Sequence, residues 1–98
     1  METFEVRLAD SGRGELILFS EHKQAGKMDI FIRNKLLTVY HTEVEGVHAG
    51  KGFAKLLLDE LVRKAREEGL MIKALCPYVH GQFKKNPDAY ADIWWKDG

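Results

Sequence analysis

The chain has one cysteine, so no intrachain disulfide can form, and with its four histidines scattered it lacks any cluster at zinc-ligand spacing. No metal site is expected. An excess of charge of either sign is missing too. Fifteen Lys and Arg cancel fifteen Asp and Glu, which removes any global attraction to nucleic acid or to an anionic membrane. Apolar runs never exceed a few residues, too short to cross a bilayer, and no basic, then apolar, then small-residue leader follows Met1. A cytoplasmic protein in a reducing compartment is the expectation. At 98 residues the chain fits a single domain, with too little material for a second core.

What the chain does have is periodicity. Phe4, Val6 and Leu8 alternate with Glu5 and Arg7, the pattern of a strand with one face on a core. Ser11-Gly12-Arg13-Gly14 supplies turn chemistry before a strand over 15–20, and Gln24 to Lys27, with Gly26, is expected to turn the chain into a strand over 28–33. Asn34-Lys35 then connects to a longer strand over 36–44, so the first half reads as an antiparallel meander. After Gly52 the period becomes helical: Phe53, Leu57, Leu61 and Ala65 form one row, Ala54, Leu58 and Val62 the next, and Gly69 ends the helix. Asp59 with Arg63 and Glu60 with Lys64 are spaced for surface pairs. A short strand over 70–76 follows, then a second helix opened by Pro77, running to about Lys85 and ended by Pro87. The segment 89–95 is open between a last strand and an irregular stretch. One of Trp94 and Trp95 is expected in the core and the other on a self-association patch, giving a monomer or weak homodimer. The fold class is therefore α+β, a mixed sheet with two helices, in which a βαβ crossover brings 36–44 and 70–76 side by side in parallel.

The start of the long helix is bare. Its unpaired N–H groups and positive dipole end need an acceptor, yet no Ser, Thr, Asp or Asn stands at the junction. Gly50 and Gly52 would let the backbone curl around an anion, with the amides of Gly50 to Ala54 pointing inward and Lys51 adding charge. The spacing is not that of a Walker A loop or a dinucleotide fingerprint, and a plain glycine turn that merely starts a helix remains the alternative.

The same residues carry a resemblance. Val44-x-x-x-x-Ala49-Gly50-Lys51-Gly52-Phe53-Ala54-x-x-Leu57 resembles motif A of the GNAT N-acetyltransferases, Gln/Arg-x-x-Gly-x-Gly/Ala after a strand ending in Val. Tyr40-His41-Thr42-Glu43 before the loop, and Cys76-Pro77-Tyr78-Val79, Phe83 and Asn86-Pro87 after it, resemble the compact GNAT-like family over most of residues 36–90. The resemblance implies a shortened acetyltransferase fold with acetyl-CoA as cofactor and an amine as acceptor. Loop amides would hold the pyrophosphate, and the pantetheine arm would lie between two splayed parallel strands. Two positions depart from the pattern: Ala49 stands where Gln or Arg is usual, and Phe83 where many relatives have a tyrosine acid. The short turn after the first strand also leaves no room for helices over the acceptor side.

Acetyl transfer needs a neutral amine, a group to take its proton, an amide for the thioester oxygen and a proton for the leaving thiolate. Cys76 is the candidate at the sulfur, and the resemblance points to the same residue, against the alternative of a small buried hydrophobe. His41 and Glu43, on one face of their strand, are candidates for relaying the amine proton, against ordinary strand polarity. By resemblance Lys84, Lys85 and Asn86 pass near the adenosine 3′-phosphate, although lysines in a last turn also suit the helix dipole. Tyr78 is a candidate donor to the cofactor or a core aromatic. The leading function is an N-acetyltransferase. A CoA-binding sensor without turnover and a plain interaction module are the other classes.

Overall fold

The computed structural model describes residues 1–96. Five strands form one sheet in sequential order: β1 at Glu2–Leu8, β2 at Arg13–Ser20, β3 at Lys23–Arg33, β4 at Leu36–Val44 and β5 at Met71–Ala74. The first four pair antiparallel, and β5 lies parallel to β4 from Leu36 opposite Met71 to Val39 opposite Ala74. A parallel neighbour cannot be reached by a hairpin, and α1, Phe53–Glu68, supplies the crossover. The α+β meander with a crossover is thus the observed architecture.

All the helices lie on one face. Leu16, Leu18, Met28, Ile30, Leu37 and Val39 share that face by alternation and form one cluster with the buried side chains of α1 and α2, the latter at Pro77–Lys85. Each such side chain contributes about 1.5–3 kcal/mol of transfer free energy, far above the few tenths of a surface pair. Among the described residues the opposite face carries no helix. There Lys27 sits between Glu15 at 2.6 Å and Asp29 at 3.2 Å, and Ile17 is buried between its register partners Glu5 and Lys27.

Several expectations change in detail. The β2–β3 turn is Glu21-His22, both left-handed at φ 51° and 70°, and not the stretch around Gly26. Gly26 lies inside β3, where a Cβ would stand 2.8 Å from the Glu43 carbonyl and 3.3 Å from Leu57 Cδ1. Close approach of the β4 backbone, with Leu57 of α1 next nearest, and not turning, demands glycine there. Asn34-Lys35 does turn the chain, at φ 54° and 66°. Leu8 is half exposed because its partner is Gly14 at the sheet's end. Pro87 does not only follow α2: it opens a further short helix, α3 at Pro87–Tyr90, so there are three helices among the described residues. Asp59 is taken by Lys55, and Arg63 by Glu60 and Glu67, so the expected Asp59–Arg63 and Glu60–Lys64 pairs are not formed. The tail is irregular, held to β5 by one bridge between Ile72 and Trp94.

Candidate functional site

β4 and β5 stay paired only to Val39 and Ala74. Two local features part them. The amides of Leu75 and Cys76 both donate to the Val39 carbonyl, at 3.1 and 2.9 Å, which turns the chain out of β5 and into α2. In β4, Ile30 opposes Val39 while Asp29 opposes His41, so Tyr40 is an extra, bulged residue. Its ring lies on the helix-free face under the Arg13 guanidinium, 4.3 Å from the ring centre. Beyond the bulge Thr42 pairs with Met28 and faces the helices, whereas His41 and Glu43 face away.

Cys76 closes the parting on the helix side. Its Sγ lies 3.2 Å from Thr42 Oγ1, within hydrogen-bond reach, and the residue is only 2% exposed. It has a polar partner but, in this conformation, not the exposure that a reactive thiol needs. On the other face His41 Nε2 lies 3.6 Å from Glu43 Oε2, and Lys27 Nζ lies 3.8 Å from Glu43 Oε1. Both side chains are more than half exposed, at 57% and 53%. The three catalytic candidates therefore do not form one cluster; they sit on opposite sides of β4.

Past Val44, half-buried beside Gly26, a 3-10 turn at Gly46–His48 leads into the glycine loop. Gly50 and Gly52 are both left-handed, at φ 83° and 76°, and a Cβ on either would meet no protein atom within 4 Å. The Lys51 amide donates to the His48 carbonyl at 3.2 Å, and the first bond of α1 runs from the Leu56 amide to Gly52. Of the five expected inward amides, Lys51 is thus already engaged. Those of Gly50, Gly52, Phe53 and Ala54 have no protein acceptor among the described residues. The Phe53 ring is buried against His48, centroids 5.2 Å apart, so only its amide faces the loop. His48 Nδ1 is itself buried without a partner. The exposed Lys51 side chain borders a hollow of about 490 Å³ shared with Glu45, Val47 and the β2–β3 turn.

Tyr78 stands half-buried on the first turn of α2. Partial burial raises its phenol pKa, with Lys55 opposing, so it keeps its proton at neutral pH and can donate. Phe83 is fully buried against Tyr90 and Trp94, with centroids 4.6 and 5.6 Å away, and cannot reach a ligand. No hydrogen bond or ion pair joins Lys84, Lys85 or Asn86 to the glycine loop. Lys84 lines a separate groove beside β5, Lys85 is exposed, and the Asn86 amide ends α2 by donating to Gln82. Thr42 and the Tyr40 bulge are what sequence reasoning missed. Alternation from Val39 alone puts Thr42 on the solvent side, and nothing in the sequence marks the bulge that turns it inward.

A family model described as GCN5-related N-acetyltransferase matches residues 13–93. Human N-acetyltransferase 8B is 26% identical over 103 residues, which span 89% of this chain but only 45% of that relative. A GCN5-like protein from Staphylococcus aureus, solved by NMR, is 25% identical with TM-score 0.66, covering 96% of this chain and 90% of its own. PaiA N-acetyltransferase from Thermoplasma acidophilum, in complex with coenzyme A, is 16% identical with TM-score 0.58, covering 74% and 48%, and shows likeness of fold. With the parted parallel strands and the bare helix start, the match over most of its length establishes that the chain belongs to the GCN5-related N-acetyltransferase family, whose members use acetyl-CoA.

Proposed function

We propose that this chain is an acetyl-CoA-dependent N-acetyltransferase acting on an amine that approaches from the helix-free face. The observation that carries the reading is the loop. Four amides at the positive end of α1 lack acceptors, and the space that a Cβ on Gly50 or Gly52 would fill is open, which fits a diphosphate gripped by main chain. Gly50, Gly52, Phe53 and Ala54 would hold it through their amides, Lys51 through its charge, with Val44 as wall and Tyr78 as a donor along the arm. When bound, acetyl-CoA supplies an acetyl thioester activated for attack by a neutral amine.

Two proton tasks remain for the chain, and the two sides of β4 divide them. Glu43 and His41, exposed on the helix-free face, accept the proton that the amine must lose. Cys76 Sγ–H, oriented by Thr42, stands on the helix side where a departing thiolate needs a proton. Its burial means the strands must open slightly to bring it into use. That burial, with Phe83 fully enclosed in the core, also favours a second reading: a module that binds CoA without turnover.

Calorimetry with CoA, followed by an acetyl-transfer assay on an amine panel, tests both. Binding with transfer supports the enzyme, binding without transfer the sensor, and no heat at millimolar CoA would leave the loop a structural turn.

A further inference from the structure

A groove of about 560 Å³ lies at the edge of β5, away from the glycine loop. The tail forms one wall, since the Ile72 amide donates to the Ile93 carbonyl and the Trp95 amide to that of Ile72. Among the described residues every titratable side chain lining the groove is basic: Lys73 on β5, His80 and Lys84 on α2, and Lys96 on the tail. Some cations elsewhere, Lys27, Lys55, Arg63, Lys64 and Arg66, have a carboxylate within 4 Å. Lys73, Lys84 and Lys96 have none among the described residues. Lys73 Nζ is held 5.0 Å from the Trp95 ring centre and Lys96 Nζ 4.1 Å from that of Trp94. A ring face positions an ammonium without cancelling its charge. Leu75, 52% exposed, lines the same groove and immediately precedes Cys76, so the groove leads to the parting of the strands.

We infer that this groove docks the acceptor, an extended polypeptide segment rich in aspartate and glutamate that carries the amine. The inference rests on the acetyltransferase reading above. Cations that have no carboxylate partner among the described residues, two of them held over rings, suit carboxylates, and Leu75 suits an apolar side chain between them. Nucleic acid fits less well. Binding of single strands relies on open aromatic platforms, whereas an ammonium covers one face of each indole and Trp94 also packs on Phe83 and His80.

Trp94 and Trp95 are the only tryptophans, so intrinsic fluorescence of the full chain reports on the groove directly. The probe is a short glutamate-rich peptide with a free amino terminus. The expected result is a saturable fluorescence change, weakened about tenfold or more by molar salt and by the double variant Lys73→Glu, Lys96→Glu. CoA affinity by calorimetry should stay unchanged in that variant. In the transfer assay, KM for the peptide should rise in the variant while kcat holds. No saturable change, equal binding of a lysine-rich peptide or an oligonucleotide, or full binding by the variant overturns the inference. So does sedimentation showing that a second copy of the chain fills the groove. CoA binding without peptide binding sinks the groove alone. Peptide binding without CoA binding sinks the acetyltransferase reading, and with it the acceptor role.

Discussion

Gly52→Ala separates a gripping loop from a structural one. Gly52 precedes α1 in the left-handed region at φ 76°, and its added Cβ would meet nothing in the protein. The fold therefore suffers only added backbone strain, a loss of about 1–2 kcal/mol of stability. For a domain of this size that lowers the melting temperature by roughly 4–8 °C per kcal/mol. Gly69 supplies the control: it caps the other end of the same helix at φ 68°, and its Cβ would also meet open space. Gly69→Ala should cost the same stability. Binding should divide the two variants, because the methyl on Gly52 occupies the volume assigned to the diphosphate. Displacing it from two amides forfeits two charge-assisted hydrogen bonds, at least about 3 kcal/mol, or more than about a hundredfold in affinity. Calorimetry with CoA on both variants, alongside thermal melts, reads the difference. If Gly52→Ala weakens CoA no more than Gly69→Ala does, the amides grip nothing and the proposed function fails.

Cys76→Ala should leave CoA affinity within a few-fold yet slow acetyl transfer by roughly 10²–10⁴, the usual contribution of a positioned acid; an unchanged rate would make Cys76 ordinary core. Phe83→Tyr should not create a catalytic acid, since its hydroxyl would be buried beside Tyr90 and Trp94 and cost about 1–3 kcal/mol, seen as a lower urea midpoint without gain in rate. Asp92 accepts hydrogen bonds from Arg66, which hold its carboxyl below the usual range; that contribution exists above the unfolded value of about 3.9 and disappears as pH falls through the folded one. Asp92→Asn should therefore melt lower than wild type at pH 7 and coincide with it in strong acid, and a constant gap across pH would remove the ion pair from the account.

The long helix and the meander could be read from the sequence because each obeys one period over many residues. Phe53, Leu57, Leu61 and Ala65 repeat every four positions, and no competing pattern crosses them. The turns were less legible for a physical reason. Glu21-His22 turns the chain with two non-glycine residues in left-handed geometry, while Gly26 sits mid-strand because the Glu43 carbonyl of β4 leaves no room for a Cβ. Glycine signals either a turn or a close approach, and only tertiary packing distinguishes them. The loop was visible as an absence of capping residues, but the engagement of the Lys51 amide by His48 depends on the preceding 3-10 turn. Lys84 was placed by analogy of position along α2, and its actual surroundings are set by a tail whose path periodicity did not reveal.

The bulge at Tyr40 decides which side of the sheet each candidate serves. Side chains alternate strictly along a strand, so one inserted residue exchanges the faces of all that follow. With Val39 in the core and no insertion, His41 and Glu43 would point at the helices and Thr42 at solvent. The observed register reverses this: Thr42 meets Cys76 beneath α2, and His41 and Glu43 stand opposite Asp29 and Lys27 in the open. On the proposed reading, the thiol at the sulfur and the base at the amine are separated by the thickness of one strand, and neither can take the other's proton. Deleting Tyr40 should therefore damage both tasks at once, while the loop that binds the cofactor, fixed by α1 and its own turn, keeps its geometry.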